Sequence, residues 1–501
     1  MNTILTALEQ RALTRPEQLA FIGHNAKGQA ISLSYFTLWQ SVVEIAEQFI
    51  ALDVQRIALR AENSLDWVVV DLAAMLADVV IVPVPMFFST EQVAHLLSQS
   101  CPDLLIGEWF FGAAQRVDAL GQLQPAGELS NLPIFSLSSV HPANLLRNTR
   151  KITFTSGSTG TPKGVCLSDD NLVRVSEAIA TELGSEFHQH LVVLPLSTLL
   201  ENITGVYVPI LLGVTSLIYA GREVGLNGSS QFSPHAFAAA LARLQPSSLV
   251  LTPALLMALI AVVQQAPSLA SSLQWVAVGG ARVAPELIDK ARELGIPAFE
   301  GYGLSECGSV VSMNTATHNK PGSCGKVLSH LQIKIADDGE LWVKGNSALG
   351  YLGEPFEDVW LATGDIATMD DEGFLTISGR KKNLIISSFG RNISPEWIEA
   401  QAQVFAPGGQ FVVVGDGQAY LTAVVSPYFD DIAQRVEALN RTMPDYARIA
   451  QLLVVESSAQ WRDWLTTNGR PKRVLIEQQT AAARAQSDAA LIRWPQDAQP
   501  V

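Results

Sequence analysis

Residues 153–164 read TFTSGSTGTPKG, a run in which four hydroxyl side chains, Thr155, Ser156, Ser158 and Thr159, are interleaved with Gly157 and Gly160 and closed by Pro162, Lys163 and Gly164. Glycines let successive backbone N–H groups turn toward one point, hydroxyls add donors, and a lysine adds a mobile positive charge, which together make a cradle for a polyphosphate. The Walker pattern G-x-x-x-x-G-K-[ST] cannot be laid on this run, because Lys163 sits between Pro162 and Gly164. A flexible Ser/Gly linker has no reason to follow the apolar, strand-like residues 152–154 or to end in Pro-Lys-Gly. Far along the chain, Thr363-Gly364-Asp365 places an acid after a Thr-Gly turn. A carboxylate there is a good bidentate acceptor for ribose hydroxyls. The triplet Arg380-Lys381-Lys382 reads in isolation as a solvated basic patch.

The elements that must position these groups follow an α/β rhythm. Hydrophobic periodicity predicts helices over 4–15 and 35–52, strands over 20–22 and 56–59, and a core helix followed by a buried strand within 67–84. Residues 111–150 read as an irregular connection. Short strands over 191–194, 215–219, 248–251 and 273–278 then alternate with helical stretches, the signature of mainly parallel sheets covered on both faces. From 325 to 379 the period changes to two, with strands over 331–335, 340–344 and 374–378 around an Asp337-Asp338-Gly339 turn. The last 120 residues mix strands (410–414, 421–426) with helices (395–402, 430–439) and suit a small α+β domain. The expected architecture is α/β: a large N-terminal domain over 1–379 with a β-rich subdomain at 325–379, then a small mobile C-terminal domain over 380–501.

Composition narrows the function classes. A net charge of −15 over 501 residues argues against a nucleic-acid partner held by phosphate neutralisation. Four cysteines, Cys101, Cys166, Cys307 and Cys324, lack metal or disulfide spacing, and the N-terminus lacks the basic start and apolar core of a signal peptide; a cytoplasmic location is expected. The apolar region 67–88 carries Asp71, Asp78, Pro83 and Pro85, which a bilayer-spanning helix would not tolerate. A mean hydropathy of +0.22 leaves at most peripheral membrane contact.

Five stretches in order resemble the AMP-forming adenylate superfamily of acyl-CoA synthetases, luciferases and nonribosomal adenylation domains: TFTSGSTGTPKG, EGYGLSECG (300–308), GELWVKGNSALGY (339–351), TGD (363–365) and GRKKNLIISSFGRNISPEWIE (379–399). The resemblance, closest to long-chain fatty acyl-CoA synthetases, implies ATP-dependent activation of a carboxylic acid to an acyl-AMP, then a thioester with CoA or an acyl carrier protein. It implies ATP and Mg2+ as cofactors, Thr155 and Glu306 on the metal side, and Ser156 to Gly160 with Lys163 on the pyrophosphate. Gly280 and Ala281 would form the adenine turn, and Glu300, Gly301, Tyr302, Gly303 and Ser305 the adjoining nucleotide wall. Asp365 would hold the ribose with Arg380 beside it, Lys382 would be the hinge, and Gly390 and Arg391 would line the thiol path.

Two departures from the family pattern bear on function. The terminal T-x-x-G-K motif is here Thr466-Thr467-Asn468-Gly469-Arg470-Pro471-Lys472, so either Arg470 or Lys472 takes the catalytic lysine's part, or adenylation is weakened and the alternative is a non-catalytic nucleotide-binding scaffold; arginine keeps the charge and can grip carboxylate and phosphate bidentately. The stretch VVLPLSTLLEN (192–202) resembles a long-chain synthetase segment, with Thr198 where that family has histidine. No aspartate stands there to meet an α-amino group. Ser197, Thr198, Tyr207 and Gly280 are the expected acyl-pocket residues, and a medium- or long-chain fatty acid the expected substrate.

Overall fold

A computed structural model describes residues 1–109, 123–136, 144–155, 162–184, 187–228, 231–388, 391–418, 420–426, 429–466, 469–485 and 491–493. Within it, two nine-stranded sheets and a four-stranded antiparallel sheet carry the large N-terminal part of the molecule, and a further four-stranded sheet organises the C-terminal part.

In the first large sheet the strands Leu19–His24, Thr215–Ile218, Gln189–Leu191, Ser248–Leu251, Trp275–Val278 and Ala298–Tyr302 run parallel, and antiparallel strands close both edges. In the second, Lys151–Thr155, Val80–Pro83, Arg56–Arg60 and Leu104–Gly107 form the parallel centre. The parallel strands are short because both faces are buried: Ser248–Leu251 and Val80–Pro83 have no exposed residue. Residues so placed are mostly apolar, which is why these strands read as near-continuous Val/Ile/Leu runs; buried Ser248 is admitted because its hydroxyl is hydrogen-bonded to His190.

Helix Leu65–Leu76 lies between the two sheets, packing on Val80–Pro83 of one and Leu19–His24 of the other. Ser64 caps it by accepting the Trp67 N–H, and Trp67, Val68, Val70 and Leu72 are fully enclosed; each such side chain contributes roughly 1.5–3 kcal/mol on leaving water. Asp71 is the polar exception on this helix face. Its carboxylate receives the Lys151 ammonium at 2.7 Å, the Tyr207 hydroxyl at 2.7 Å and the Asn202 amide at 2.9 Å. Among the described residues no helix is long and apolar enough to cross a membrane.

The third sheet runs Gln332–Ile335, Glu340–Lys344, Leu361–Met369, Leu375–Arg380, all antiparallel. The sequence pattern predicts three of these. It misses Leu361–Met369, whose Ala-Thr-Gly-Asp start breaks the apolar alternation. The C-terminal sheet joins Phe411–Val414, Leu421–Val425, Ile449–Val454 and Leu491–Arg493, with helices Pro395–Phe405 and Ile432–Thr442 packed in a core of its own.

One expectation fails outright. Part of the stretch read as an irregular connection is a hairpin, Gln124–Leu129 with Leu132–Ser136, that extends the second sheet beyond Leu104–Gly107. Ser130 and Asn131 turn it with positive φ and both donate to Asp66 Oδ1. The polar turn that looked like loop chemistry is satisfied by an acid 64 residues away.

Candidate active site

The phosphate-side residues sit on a hairpin. Thr155 ends strand Lys151–Thr155 and stands opposite Lys163, which begins strand Lys163–Leu167. Ser156, Gly157, Ser158, Thr159 and Gly160 lie outside the described residues, but the ends that bracket them are held: His95 Nε2 donates to the Pro162 carbonyl at 3.1 Å. The Lys163 ammonium lies 4.5 Å from the centre of the Tyr351 ring, an attraction that aims the cation without neutralising it. Tyr351 in turn donates its hydroxyl to Glu306 Oε1 at 2.9 Å. Burial and the Glu306 charge raise the Tyr351 pKa, which keeps that hydroxyl a donor. Sequence reading passed over Tyr351, although it closes the GELWVKGNSALGY stretch.

Glu306 opens the way to a divalent cation of a particular kind. Among the described residues no group of three or more His, Cys, Asp or Glu side chains could hold a metal ion, so the expected metal-side residues amount to the Glu306 carboxylate and the Thr155 hydroxyl. That donor set is too sparse for a resident ion and fits Mg2+ arriving on a polyphosphate that supplies the remaining oxygens.

The nucleoside side is built between two sheets. The turn 279–281 follows strand Trp275–Val278 of the first large sheet, with Gly280 at φ 81°, a conformation that favours glycine. Ala281 is exposed beside it. Facing it, Asp365 and Arg380 are cross-strand partners in the third sheet. The Asp365 carboxylate, 3% exposed, accepts the Tyr302 hydroxyl at 2.6 Å on one oxygen and the Arg380 Nε–H at 2.8 Å on the other. Burial raises its pKa, and Arg380 and Tyr302 act against that rise. Gly364, at φ 72°, sits inside strand Leu361–Met369 at the irregularity in its pairing with Glu340–Lys344, and its N–H donates to Glu340 at 3.0 Å. Gly303 has a steric reason: a Cβ there would lie 1.6 Å from the Ser309 carbonyl oxygen. Ser305 and Glu306 share a single 3-10 turn beyond it.

Glu300 takes a different position from its neighbours. Its side chain points behind the wall, 3.6 Å from the Cys324 thiol and facing Arg282. Burial pushes its carboxyl up to about 7 in spite of that arginine.

The C-terminal part closes the cleft. Arg470 Nη2 donates to the Gly280 carbonyl at 3.3 Å, across 190 residues of sequence. The residue is exposed to solvent overall; its pKa is lowered, first by desolvation on the cleft side and then by the Arg380 charge. Lys472 does not join it: its ammonium donates to the Asp463 carbonyl at 2.8 Å within its own domain, and its N–H is committed to Trp464 at 2.7 Å. Of the two candidates for the lysine position, Arg470 is the one at the cleft. Lys382 lies in the 3-10 turn Lys381–Asn383 that follows strand Leu375–Arg380. Partial burial and then Arg380 lower its pKa. The preceding Lys381 is tied back to the third sheet by Asp338 at 2.6 Å and Glu340 at 2.8 Å. Gly390 lies outside the described residues, and Arg391 is exposed, its N–H on Ser387 Oγ at 3.2 Å.

A family profile described as AMP-binding enzyme matches residues 8–352, more than two thirds of the chain. The chain belongs to the AMP-binding enzyme family. Its relatives include a long-chain-fatty-acid–CoA ligase of Mycobacterium tuberculosis, 28% identical over 75% of this chain and 74% of that protein, and a 2-succinylbenzoate–CoA ligase of Bacillus subtilis, 26% identical over 78% and 81%. The fold matches that of the Bacillus subtilis o-succinylbenzoate CoA synthetase in complex with its acyl-adenylate intermediate (TM-score 0.74, 23% identity, 94% of this chain and 97% of that one). It also matches an anthranilate CoA ligase in complex with anthranoyl-AMP (TM-score 0.79, 17% identity, 97% and 98%).

In this family member the acyl-side expectations separate. Ser197 lines a shallow open cleft with Glu62, Asn63, Phe87 and Pro195, at the C-terminal edges of both large sheets, where α/β folds place their ligands. Thr198 donates its hydroxyl to the Pro195 carbonyl at 2.6 Å and so shapes the segment. Tyr207 belongs elsewhere: it is fully buried in the Asp71–Lys151–Asn202 cluster, and that demand on its hydroxyl takes it out of any acyl pocket. Asn63 carries no motif and was missed by sequence reading, yet its amide holds both sides of the segment, donating to the Leu194 carbonyl at 2.9 Å and accepting the Leu196 N–H at 2.7 Å.

Proposed function

We propose that this protein is an AMP-forming acid–thiol ligase that activates a carboxylic acid with ATP and passes the acyl group to CoA. The observation that carries the reading is the meeting of Arg470, from the C-terminal part, with the Gly280 turn, beside the Asp365–Arg380 pair.

In the first half-reaction an oxygen of the acid attacks the ATP α-phosphorus, the bond to the bridging oxygen breaks, and pyrophosphate leaves with the electron pair. Lys163 and the hydroxyl-rich loop would hold the departing phosphates, and Arg470 would span the acid's carboxylate and the α-phosphate as charge develops between them. Asp365 would fix the ribose, and the turn 279–281 the adenine, so that the α-phosphorus is presented in line. Thr155 and Glu306 would hold Mg2+, which supplies charge neutralisation of the phosphates. In the second half-reaction the thiol attacks the acyl carbonyl and AMP leaves. Rotation at Lys382 would carry Arg470 out of the cleft and bring the segment of Gly390 and Arg391 to the thiol path.

The substrate proposed is an apolar acid of medium or long chain. Supporting it are the absence of an aspartate in the 192–202 segment and the long-chain ligase among the relatives. An acyl carrier protein would serve as acceptor by the same chemistry.

The test is pyrophosphate release across a panel of fatty and aromatic acids with and without CoA. Release stimulated by a fatty acid, with AMP release dependent on CoA, is expected. Pyrophosphate without thiol-dependent AMP would make the protein an acyl-AMP ligase or direct the search to a carrier protein. ATP binding with no acid-stimulated release would reduce it to a nucleotide-binding scaffold and refute the reading.

A further inference from the structure

Arg282 follows the turn 279–281 directly, and nothing in the proposed chemistry uses it. Its guanidinium leaves the first large sheet and donates through Nη1 to the Ile377 carbonyl and, at 2.7 Å, to the Ser378 carbonyl. Both carbonyls belong to strand Leu375–Arg380 of the third sheet, two and three residues before the arginine that grips Asp365. Arginine suits the task, since one planar group with five donors reaches two acceptors at once.

A nucleoside is a rigid bridge between the two sheets this contact joins. The proposed adenine wall stands on the first large sheet and the proposed ribose acid on the third. Base and sugar are linked by one covalent bond, so the two half-sites must keep a fixed spacing to bind both at once. Two side-chain links set that spacing at this end of the cleft: the Tyr302 hydroxyl on Asp365 Oδ2, and Arg282. The first ends on the carboxylate that would take the ribose hydroxyls, so nucleotide must share or displace it. The second ends on backbone carbonyls that no ligand requires. The main-chain links between the sheets, Cys324 N–H to Leu375 O at 2.7 Å and Leu375 N–H to Gly325 O at 2.9 Å, secure the start of the strand, away from Arg380.

We infer that Arg282 is a positioning residue for nucleotide: the strut that holds the turn 279–281 at nucleoside spacing from the Asp365–Arg380 pair whether or not Tyr302 keeps its hold on the carboxylate. The inference rests on the proposed adenylation site, and it asks for an effect confined to the nucleotide.

The test compares wild type with Arg282→Met, Arg282→Lys and the double variant Arg282→Met/Glu300→Gln. The double variant also removes Glu300, the buried acid on which the Arg282 charge acts, so that this acid is not left without a counter-charge to unfold the protein. AMP binding is measured by titration calorimetry, which needs no turnover, alongside KM for ATP and KM for the acid in pyrophosphate exchange. In variants that keep the wild-type melting profile, a tenfold or greater loss of AMP affinity is expected for both methionine variants. The same rise should appear in KM for ATP, with KM for the acid within twofold and recovery to within threefold in Arg282→Lys. AMP affinity within twofold of wild type in a folded methionine variant, or an equal rise in both KM values, overturns the strut. Failure of wild type to bind AMP at all would instead sink the adenylation site on which the strut depends.

Discussion

Arg470 and Lys472 differ by two positions in sequence and by a domain boundary in reach. Since only Arg470 touches the Gly280 turn while Lys472 is spent on Asp463, Arg470→Ala should reduce pyrophosphate exchange at least a hundredfold, on the order of 3 kcal/mol of transition-state stabilisation. Arg470→Lys should retain activity within tenfold and Lys472→Ala within twofold; a dead Lys472→Ala would reverse the assignment. Glu300 gives a prediction of another kind. Its folded-state pKa of about 7 stands above the ordinary 4.5, so the folded protein binds the proton more tightly than the unfolded chain. The resulting stability is complete below about pH 4.5 and is lost as pH rises through 7. Between pH 5 and 8 this amounts to roughly 2–3 kcal/mol. Urea unfolding of Glu300→Gln should lack that component of the slope, while a slope equal to wild type would mean that Glu300 does not titrate there.

At the scale of elements, the Asp71–Lys151–Asn202–Tyr207 cluster ties helix Leu65–Leu76 to the strand that enters the phosphate loop and to the π-helical turn Ile203–Tyr207. Lys151 is 2% exposed and Asp71 1%. Burial lowers the Lys151 pKa and Asp71 opposes it. Replacing Lys151 with Met leaves the carboxylate buried without its cation and should cost about 3–5 kcal/mol of unfolding free energy. Lys151→Met/Asp71→Asn should recover part of it, and a loss under 1 kcal/mol for the single variant would show that the ammonium is dispensable. This cluster was illegible in the sequence. Asp71 read as an obstacle to a membrane span and Tyr207 as an acyl-pocket aromatic, because each was judged with its neighbours in the chain, whereas its partners lie 80 and 136 residues away. The strand Lys151–Thr155, by contrast, was legible from its apolar residues 152–154, since an apolar run leading into a glycine- and hydroxyl-rich stretch is a local pattern.

For the whole molecule, the proposed cycle requires the C-terminal part to change its station between half-reactions. Lys382→Pro fixes φ within the 3-10 turn and removes an N–H, so it should leave pyrophosphate exchange within threefold of wild type. Thioester formation from supplied acyl-AMP should fall at least tenfold. Equal loss in both would place the pivot elsewhere. The third sheet is central to this division: through Lys381 it anchors the chain before the turn, and through Asp365 it faces the Gly280 turn that Arg470 caps.

By itself the sequence determined the family-bearing stretches and the α/β then β-rich order of elements, because those depend on spacings of a few residues along one strand or turn. The tertiary structure alone decided that Arg470 and not Lys472 meets the Gly280 turn, that Tyr351 joins Lys163 to Glu306, and that Arg282 links the first large sheet to the third. Each of these is a contact across sheets or domains, set by how buried apolar faces stack, and a charged side chain carries no local mark of the partner that the stacking brings to it.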